Sequence, residues 1–220
     1  MKFLISTFTA SIIFASSTFV CADEIQGNPQ NGEQKISMCI GCHGIAGYQA
    51  SFPQVYKVPK IAGQGAKYIA SALNAYKKGD RRHPTMHGIA VSMTDQDIAD
   101  VAAYYSLLGK DEGLKLSDDP SVAQPEVAAL IQKGACTSCH GSNFNKPLDP
   151  SYPKIAGQNW DYLFVALKSY KLGIQPSWGR NNAVMSGVAK QFSNDELKML
   201  AQYVGSQQGE IKTVAQSKFR

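Results

Sequence analysis

The chain contains the motif Cys-x-x-Cys-His twice, as "CIGCH" at residues 39–43 and as "CTSCH" at residues 136–140. The residues after each motif also match. "VPKIAGQGAKYIASALNAYKKG" at 58–79 aligns with "YPKIAGQNWDYLFVALKSYKLG" at 152–173, at an offset of 94 residues. A register shared over such long segments indicates a tandem duplication of one small fold.

A second pair of matching segments lies further along each copy. "MHGIA" begins at Met86 and "MSGVA" begins at Met185, an offset of 99 residues. The same offset places Thr94 on Ser193, and each of these residues starts a pattern typical of a capped helix N-terminus. The duplication therefore extends beyond the motifs themselves.

The hydrophobic periodicity of both copies is helical. Residues 64–78 place Ile69, Leu73 and Tyr76 along one helix face. A further helix is predicted to lead into each cysteine motif, from about Gln30 and from Pro125. Since no segment alternates apolar and polar residues as a half-buried strand does, we expect an all-α fold of two tandem domains.

The N-terminus has the pattern of a secretory signal peptide. Lys2 precedes an apolar stretch at 3–20, and small residues lead to a cleavage site after Ala22. No later stretch is apolar enough to cross a bilayer, so we expect an exported mature chain without an integral membrane segment. The predicted organisation is a signal peptide at 1–22, a first domain at 23–109, a linker at 110–124, a second domain at 125–206 and a tail at 207–220.

Four of the five cysteines belong to the two motifs, and Cys21 leaves with the signal peptide. Three chemistries use Cys-x-x-Cys: a redox-active dithiol, a zinc site, and covalent attachment of haem. Zinc is disfavoured because the second half has no histidine other than His140. A dithiol is harder to dismiss for one copy, but the adjacent histidine in both copies of an exported chain favours c-type haem twice. The predicted attachment residues are Cys39, Cys42, Cys136 and Cys139, with His43 and His140 as iron ligands.

A sixth iron ligand is predicted from the repeat register. Met86 and Met185 are the methionines of the mature chain that match each other, so we predict them as the axial ligands opposite His43 and His140. Ordinary core packing is the prediction for Met38, Met93 and Met199. His83 and His87 are competing ligands in the first domain, but they have no counterpart in the second.

The matched segments also predict residues that support the ligands. The carbonyls of Pro59 and Pro153 can accept a hydrogen bond from the proximal imidazole, although a plain turn before a helix explains these prolines equally well. Arg82 and Arg180 precede the methionines by a few residues and are candidates for contacting haem propionates.

Charge is distributed unevenly along the mature chain. Residues 23–119 carry a formal charge of −1 and residues 120–220 carry +5. The basic half could meet an acidic redox partner or an anionic membrane surface, so peripheral membrane association is open. Nothing in the sequence resembles a nucleic-acid-binding module.

The assembled motifs resemble the two-haem cytochrome c4 family from about Asn28 to Ser206. This resemblance implies two class I-like cytochrome c domains related by pseudo-twofold symmetry, carrying two covalent haem c groups. It further implies a periplasmic electron-transfer protein rather than an enzyme, passing single electrons from a respiratory donor to an acceptor such as a membrane-bound oxidase or reductase complex. The alternative is the haem subunit of a flavocytochrome sulfide dehydrogenase-like complex.

Overall fold

A computed structural model describes residues 25–111 and 113–215 of the chain, so the predicted signal peptide lies outside the described residues. The described residues form helices linked by loops, with only two-residue strands. The helices of the first half are Pro29–Lys35 (α1), Ser37–His43 (α2), Ala66–Lys78 (α3), Pro84–Val91 (α4) and Asp95–Leu107 (α5). Those of the second half are Pro125–Lys133 (α6), Cys136–His140 (α7), Trp160–Leu172 (α8), Ala183–Ala189 (α9) and Asn194–Ser206 (α10).

The two halves repeat the same helix order, which confirms the predicted tandem all-α fold. The long helices α3 and α8 have 13 residues each, as do α5 and α10. Both predicted capping sites are present. The Thr94 hydroxyl accepts a hydrogen bond from the Asp97 amide, and the Ser193 hydroxyl accepts one from the Glu196 amide, each at 3.1 Å.

The helix predicted to run into each cysteine motif is broken in both halves. In the first half α1 ends at Lys35, and a separate helix begins at Ser37. In the second half Ala135 has a φ of 47°, in the left-handed region, and separates α6 from α7. Just before this second break the chain is closely packed, since a Cβ on Gly134 would lie 3.1 Å from the Phe192 ring. Periodicity did not reveal these breaks because both pieces remain helical.

The strands are short and pair in two places. Gln49–Ala50 (β1) pairs with Tyr56–Lys57 (β2) within the first domain. Arg81–Arg82 (β3) pairs antiparallel with Gly179–Arg180 (β4), with Arg81 opposite Arg180. This second pair joins the two domains. It was not predicted, because two residues are too few to show an alternating pattern.

A fully buried carboxylate joins α1 to α5 in the first domain. Asp100 accepts hydrogen bonds from the Asn28 amide, the Lys35 ammonium and the Gln96 side chain, each at 2.8 Å. Burial raises the pKa of Asp100, but these hydrogen bonds and the Lys35 charge outweigh it and leave the pKa below its usual value. Met199 occupies the corresponding position in the second domain.

The domain interface is built from the two "PKIAGQ" segments. The Gln64 side chain donates to the Lys154 carbonyl at 2.8 Å and accepts from the Lys154 amide at 2.9 Å. Gln158 makes the same pair of bonds with the carbonyl and amide of Lys60, at 2.9 and 3.0 Å. Each glutamine side chain therefore forms hydrogen bonds with both the amide and the carbonyl of a lysine in the other domain. The two pairs of bonds are equivalent, in agreement with the predicted pseudo-twofold symmetry.

The lysines of the same segments also cross the interface. Lys60 donates from Nζ to the Gly157 carbonyl at 2.6 Å, and Lys154 donates to the Gly63 carbonyl at 3.0 Å. Lys154 additionally pairs with Glu210, from the predicted tail. The Lys212 amide donates to the Ala62 carbonyl at 3.0 Å, so residues of the tail close over the first domain.

Replacing Asp100 with Asn should lower the stability of the first domain by about 1–3 kcal/mol, because the Lys35 ammonium loses its buried carboxylate partner. A carboxyl whose pKa is depressed on folding stabilises above its unfolded pKa of about 3.9 and stops doing so as the pH falls through the lower folded value. The stability difference between wild type and D100N should therefore be full at neutral pH and shrink below about pH 4. Thermal unfolding across pH tests this, with the exposed Asp195→Asn as control. A stability difference between wild type and D100N that does not change with pH would contradict this prediction.

Replacing Gln158 with Ala should weaken the interface, because the amide and the carbonyl of Lys60 both lose their hydrogen-bond partner. Each lost bond should lower the stability by about 1–3 kcal/mol. We expect faster amide exchange at Lys60 and a lower thermal midpoint. The exposed Gln191→Ala serves as control and should change neither. Unchanged exchange at Lys60 in Q158A would show that the interface does not depend on this pair.

Candidate functional site

Each cysteine motif ends in a histidine whose ring is fixed by the neighbouring proline segment. His43 Nδ1 lies 2.8 Å from the Pro59 carbonyl oxygen, and His140 Nδ1 lies 3.0 Å from that of Pro153. A carbonyl only accepts, so Nδ1 is the protonated nitrogen in both rings. The predicted proline contacts are confirmed, and each Nε2 keeps its lone pair for another partner.

Both imidazoles are neutral at neutral pH. Burial lowers the pKa of His43; the hydrogen bond to Pro59 opposes this shift and the Arg81 charge adds to it. Burial likewise lowers the pKa of His140 against the opposing bond to Pro153. A histidine must be unprotonated to bind a metal, so both rings are in the state that ligation needs.

The two motifs face one continuous cavity of about 620 Å³. The cavity runs across the domain interface and is lined mainly by apolar side chains. All the predicted attachment and ligand residues line it: Cys39, Cys42, His43, Met86, Cys136, Cys139, His140 and Met185. The structure thus brings the eight predicted site residues together around a space suited to large apolar groups.

Met86 and Met185 occupy equivalent places on short helices. The side chain of His83 caps α4 and accepts from the Met86 amide at 3.5 Å, while Asn182 caps α9 and accepts from the Met185 amide at 2.9 Å. The helix start therefore positions each methionine in the same way. Because capping uses His83 Nδ1, this histidine has a structural task that the sequence did not reveal.

The remaining methionines and the second histidine behave differently. Met93 is buried, as predicted, and Met199 is partly buried against the cluster formed by Leu130, Phe192, Leu197 and Leu200. The prediction of core packing for Met38 is wrong, since this side chain is 52% exposed. His87 is exposed, and its Nδ1 lies 2.8 Å from the Tyr76 carbonyl oxygen.

Two buried arginines meet where the domains join. Arg81 and Arg180 are 8% and 9% exposed, and both donate to the hydroxyl of Tyr162, at 2.5 and 3.0 Å. Burial raises the pKa of Tyr162, but the two guanidinium charges and their hydrogen bonds outweigh it and lower the pKa to about 8. Among the described residues neither arginine has a carboxylate partner, and Arg81 Nε is buried without a hydrogen bond.

This arrangement corrects the prediction for Arg82. The buried counterpart of Arg180 is Arg81, whereas Arg82 is exposed and donates to the Gln175 carbonyl at 3.1 Å. Neighbouring residues of a strand point to opposite faces, so the pairing of β3 with β4 selects Arg81. Two buried positive charges that line the cavity fit a ligand bearing carboxylates.

The surroundings of Cys39 bear on the redox-active dithiol, one of the competing chemistries for the cysteines. Burial raises the pKa of the Cys39 thiol to about 11. Such a thiol stays protonated, whereas a redox-active dithiol needs a thiolate of low pKa.

Comparison with known proteins identifies the family. The family model described as "Cytochrome c" matches the chain twice, at residues 30–106 and 126–208. Cytochrome c4 of Thiocapsa roseopersicina is 31% identical over 192 residues, covering 81% of this chain and 92% of that protein. A protein named thiosulfate dehydrogenase electron acceptor, from Stutzerimonas stutzeri strain A1501, is 28% identical over 187 residues, covering 79% of this chain and 81% of its own.

The fold agrees with these sequence matches. The crystal structure of reduced recombinant cytochrome c4 from Pseudomonas stutzeri superposes with a TM-score of 0.62 at 28% identity, covering 83% of this chain and all of that chain. With two matches to the family model, a Cys-x-x-Cys-His motif in each, and a relative above 30% identity over nearly its whole length, the chain belongs to the cytochrome c4 family of electron-transfer proteins, which carry two covalently attached haem c groups.

Proposed function

We propose that the protein is a periplasmic shuttle that carries single electrons from a respiratory donor to an acceptor such as a membrane-bound terminal oxidase. The observation that carries this proposal is the pair of equivalent residue sets, each with two cysteines, a neutral imidazole and a thioether, around one cavity. When bound, each haem supplies reversible one-electron oxidation and reduction at its iron. The polypeptide holds the two haems and sets how readily each takes an electron.

In this proposal Cys39 and Cys42 attach the first haem, and Cys136 and Cys139 attach the second. His43 and Met86 would hold the iron of the first haem, and His140 and Met185 would hold that of the second. The Nδ1 bond to a proline carbonyl fixes each imidazole with Nε2 free. A thioether is a soft ligand that favours the reduced state, so His/Met sites have raised potentials.

Arg81 and Arg180 fit the acidic side chains of the same cofactor. Their two charges are buried without a carboxylate from the described residues, and haem carries propionates. We infer that the arginines would hold propionates at the domain interface, with Tyr162 orienting both guanidinium groups. The cofactor would then supply the negative charge that the buried arginines lack.

The acceptor or donor is expected to present an acidic surface, because residues 120–220 carry a formal charge of +5. No described helix has the length and apolar character needed to span a membrane. A second candidate function is acceptance of electrons from a thiosulfate-oxidising enzyme, which the name of the Stutzerimonas relative favours. The flavocytochrome alternative stays a prediction.

The ligand scheme is tested by replacing each methionine. Purified protein should carry two covalent haems and, when oxidised, the weak far-red absorption of a methionine–iron bond at both. Met86→His and Met185→His should each remove about half of this band and lower one potential by a sizeable part of the roughly 0.8 V that axial ligands span. Met93→Leu is the control, because Met93 lines the same cavity but aligns with Phe192 in the repeat. If M93L loses the band and M86H keeps it, the assignment is wrong.

The partner proposal is tested by the salt dependence of electron transfer. Raising the ionic strength from about 0.01 to 0.15 M shortens the screening length from about 30 to 8 Å, so the rate with a membrane oxidase should fall steeply. Lys190→Glu, at the end of α9, should slow transfer more than the exposed Lys78→Glu in the first domain. The same measurement with a thiosulfate dehydrogenase as donor separates the two candidate functions. Equal rates for both variants would exclude the second domain as the docking face.

A further inference from the structure

The two halves of the cavity differ at several equivalent positions, among them Met93 and Phe192, and one of these differences places a buried hydroxyl in the first half only. When the two halves are aligned at the offset of 99 residues, Tyr105 of α5 corresponds to Val204 of α10. The backbones confirm the equivalence, because the Gly63 amide donates to the Tyr105 carbonyl at 2.9 Å and the Gly157 amide donates to the Val204 carbonyl at 3.1 Å. A phenol in the first site thus replaces an apolar side chain in the second.

The Tyr105 hydroxyl is buried and has no hydrogen-bond partner in the described part of the chain. Tyr105 is 3% exposed and lines the cavity. A hydroxyl that is buried without an acceptor loses its hydrogen bonds to water, so an acceptor is expected in the cavity. The group stays a donor, because burial, followed by the electrostatic effect of the Cys39 sulfur, raises its pKa.

The neighbour of this hydroxyl is the first cysteine of the motif. Cys39 packs against the buried cluster that contains Tyr105, and burial raises the pKa of the Cys39 thiol while its interaction with Tyr105 opposes that shift. Tyr105 belongs to the cluster of buried side chains in the first domain, and Cys39 and Met86 are partly buried against that cluster. Tyr105 is therefore placed to act on the first haem site, and no equivalent hydroxyl acts on the second from α10.

We propose that Tyr105 is a positioning residue that makes the two haem sites unequal, by directing the positive end of its O–H dipole toward the Cys39 side of the first site. This proposal rests on the proposed ligand scheme. A donor aimed at a site favours the state with less positive charge, which is the reduced one. Tyr105 thereby raises the potential of the first site relative to what an apolar residue would give, and so sets how one electron divides between the domains.

The test compares Tyr105→Phe with Tyr203→Phe in the full-length holoprotein. Tyr203 is a matched control, since it loses the same hydroxyl from the corresponding helix but donates to the Ser121 carbonyl at 2.7 Å and does not line the cavity. Potentials are measured by spectroelectrochemical titration fitted to two one-electron steps. The same titration in a Met185→His background lowers the potential of the second site, so the step that does not move belongs to the first site.

We expect Y105F to shift the partition of one electron about threefold away from the first site. At 59 mV per tenfold change, this lowers the potential of the first site by roughly 30 mV. The second step, both far-red bands and the Y203F potentials should stay unchanged. The proposal is wrong if Y105F leaves the first step in place, raises it, or moves both steps equally. Failure of the wild type to hold two methionine-ligated haems would instead overturn the proposed function.

Discussion

The hydrogen bond from each proximal imidazole to a proline carbonyl is the contact on which both sites depend. The same six-residue segment that supplies this carbonyl ends in a glutamine that pairs with the backbone of the other domain. Ligand orientation and domain docking are therefore built into one piece of chain. A change that shifts Pro59 or Pro153 would therefore disturb a histidine ring and the domain interface together.

Buried charge gives the interface a second constraint. Arg81 and Arg180 sit opposite each other on paired strands, and both donate to one tyrosine hydroxyl. Two guanidinium groups buried this closely repel each other unless anions join them. Among the described residues, no carboxylate compensates these two buried positive charges. Carboxylates brought by the cofactors would compensate them, which couples haem attachment to the docking of the domains.

Much of this architecture could be predicted from the sequence, because duplication, helical periodicity and capping are all local patterns. The cysteine motifs, the matched methionines and the carbonyls of Pro59 and Pro153 followed from the repeat register. The reciprocal glutamine contacts did not, since periodicity within a chain says nothing about which domain a side chain faces. Choosing Arg81 over Arg82 likewise required the pairing of β3 with β4, a long-range contact between two-residue strands.

The differences between the domains carry information that the shared fold does not. Duplication preserved the helices and the ligand positions, so the two sites would be equivalent if every buried residue had been preserved too. Yet Asp100 corresponds to Met199, and Tyr105 to Val204, within the same pair of equivalent helices. Asp100 anchors α1 by charge and lies away from the cavity, whereas Tyr105 lines it. One substitution thus bears on stability and the other on the cofactor. Two sites with identical surroundings would share one electron equally, and the Tyr105 hydroxyl is the difference that we propose makes the sharing unequal.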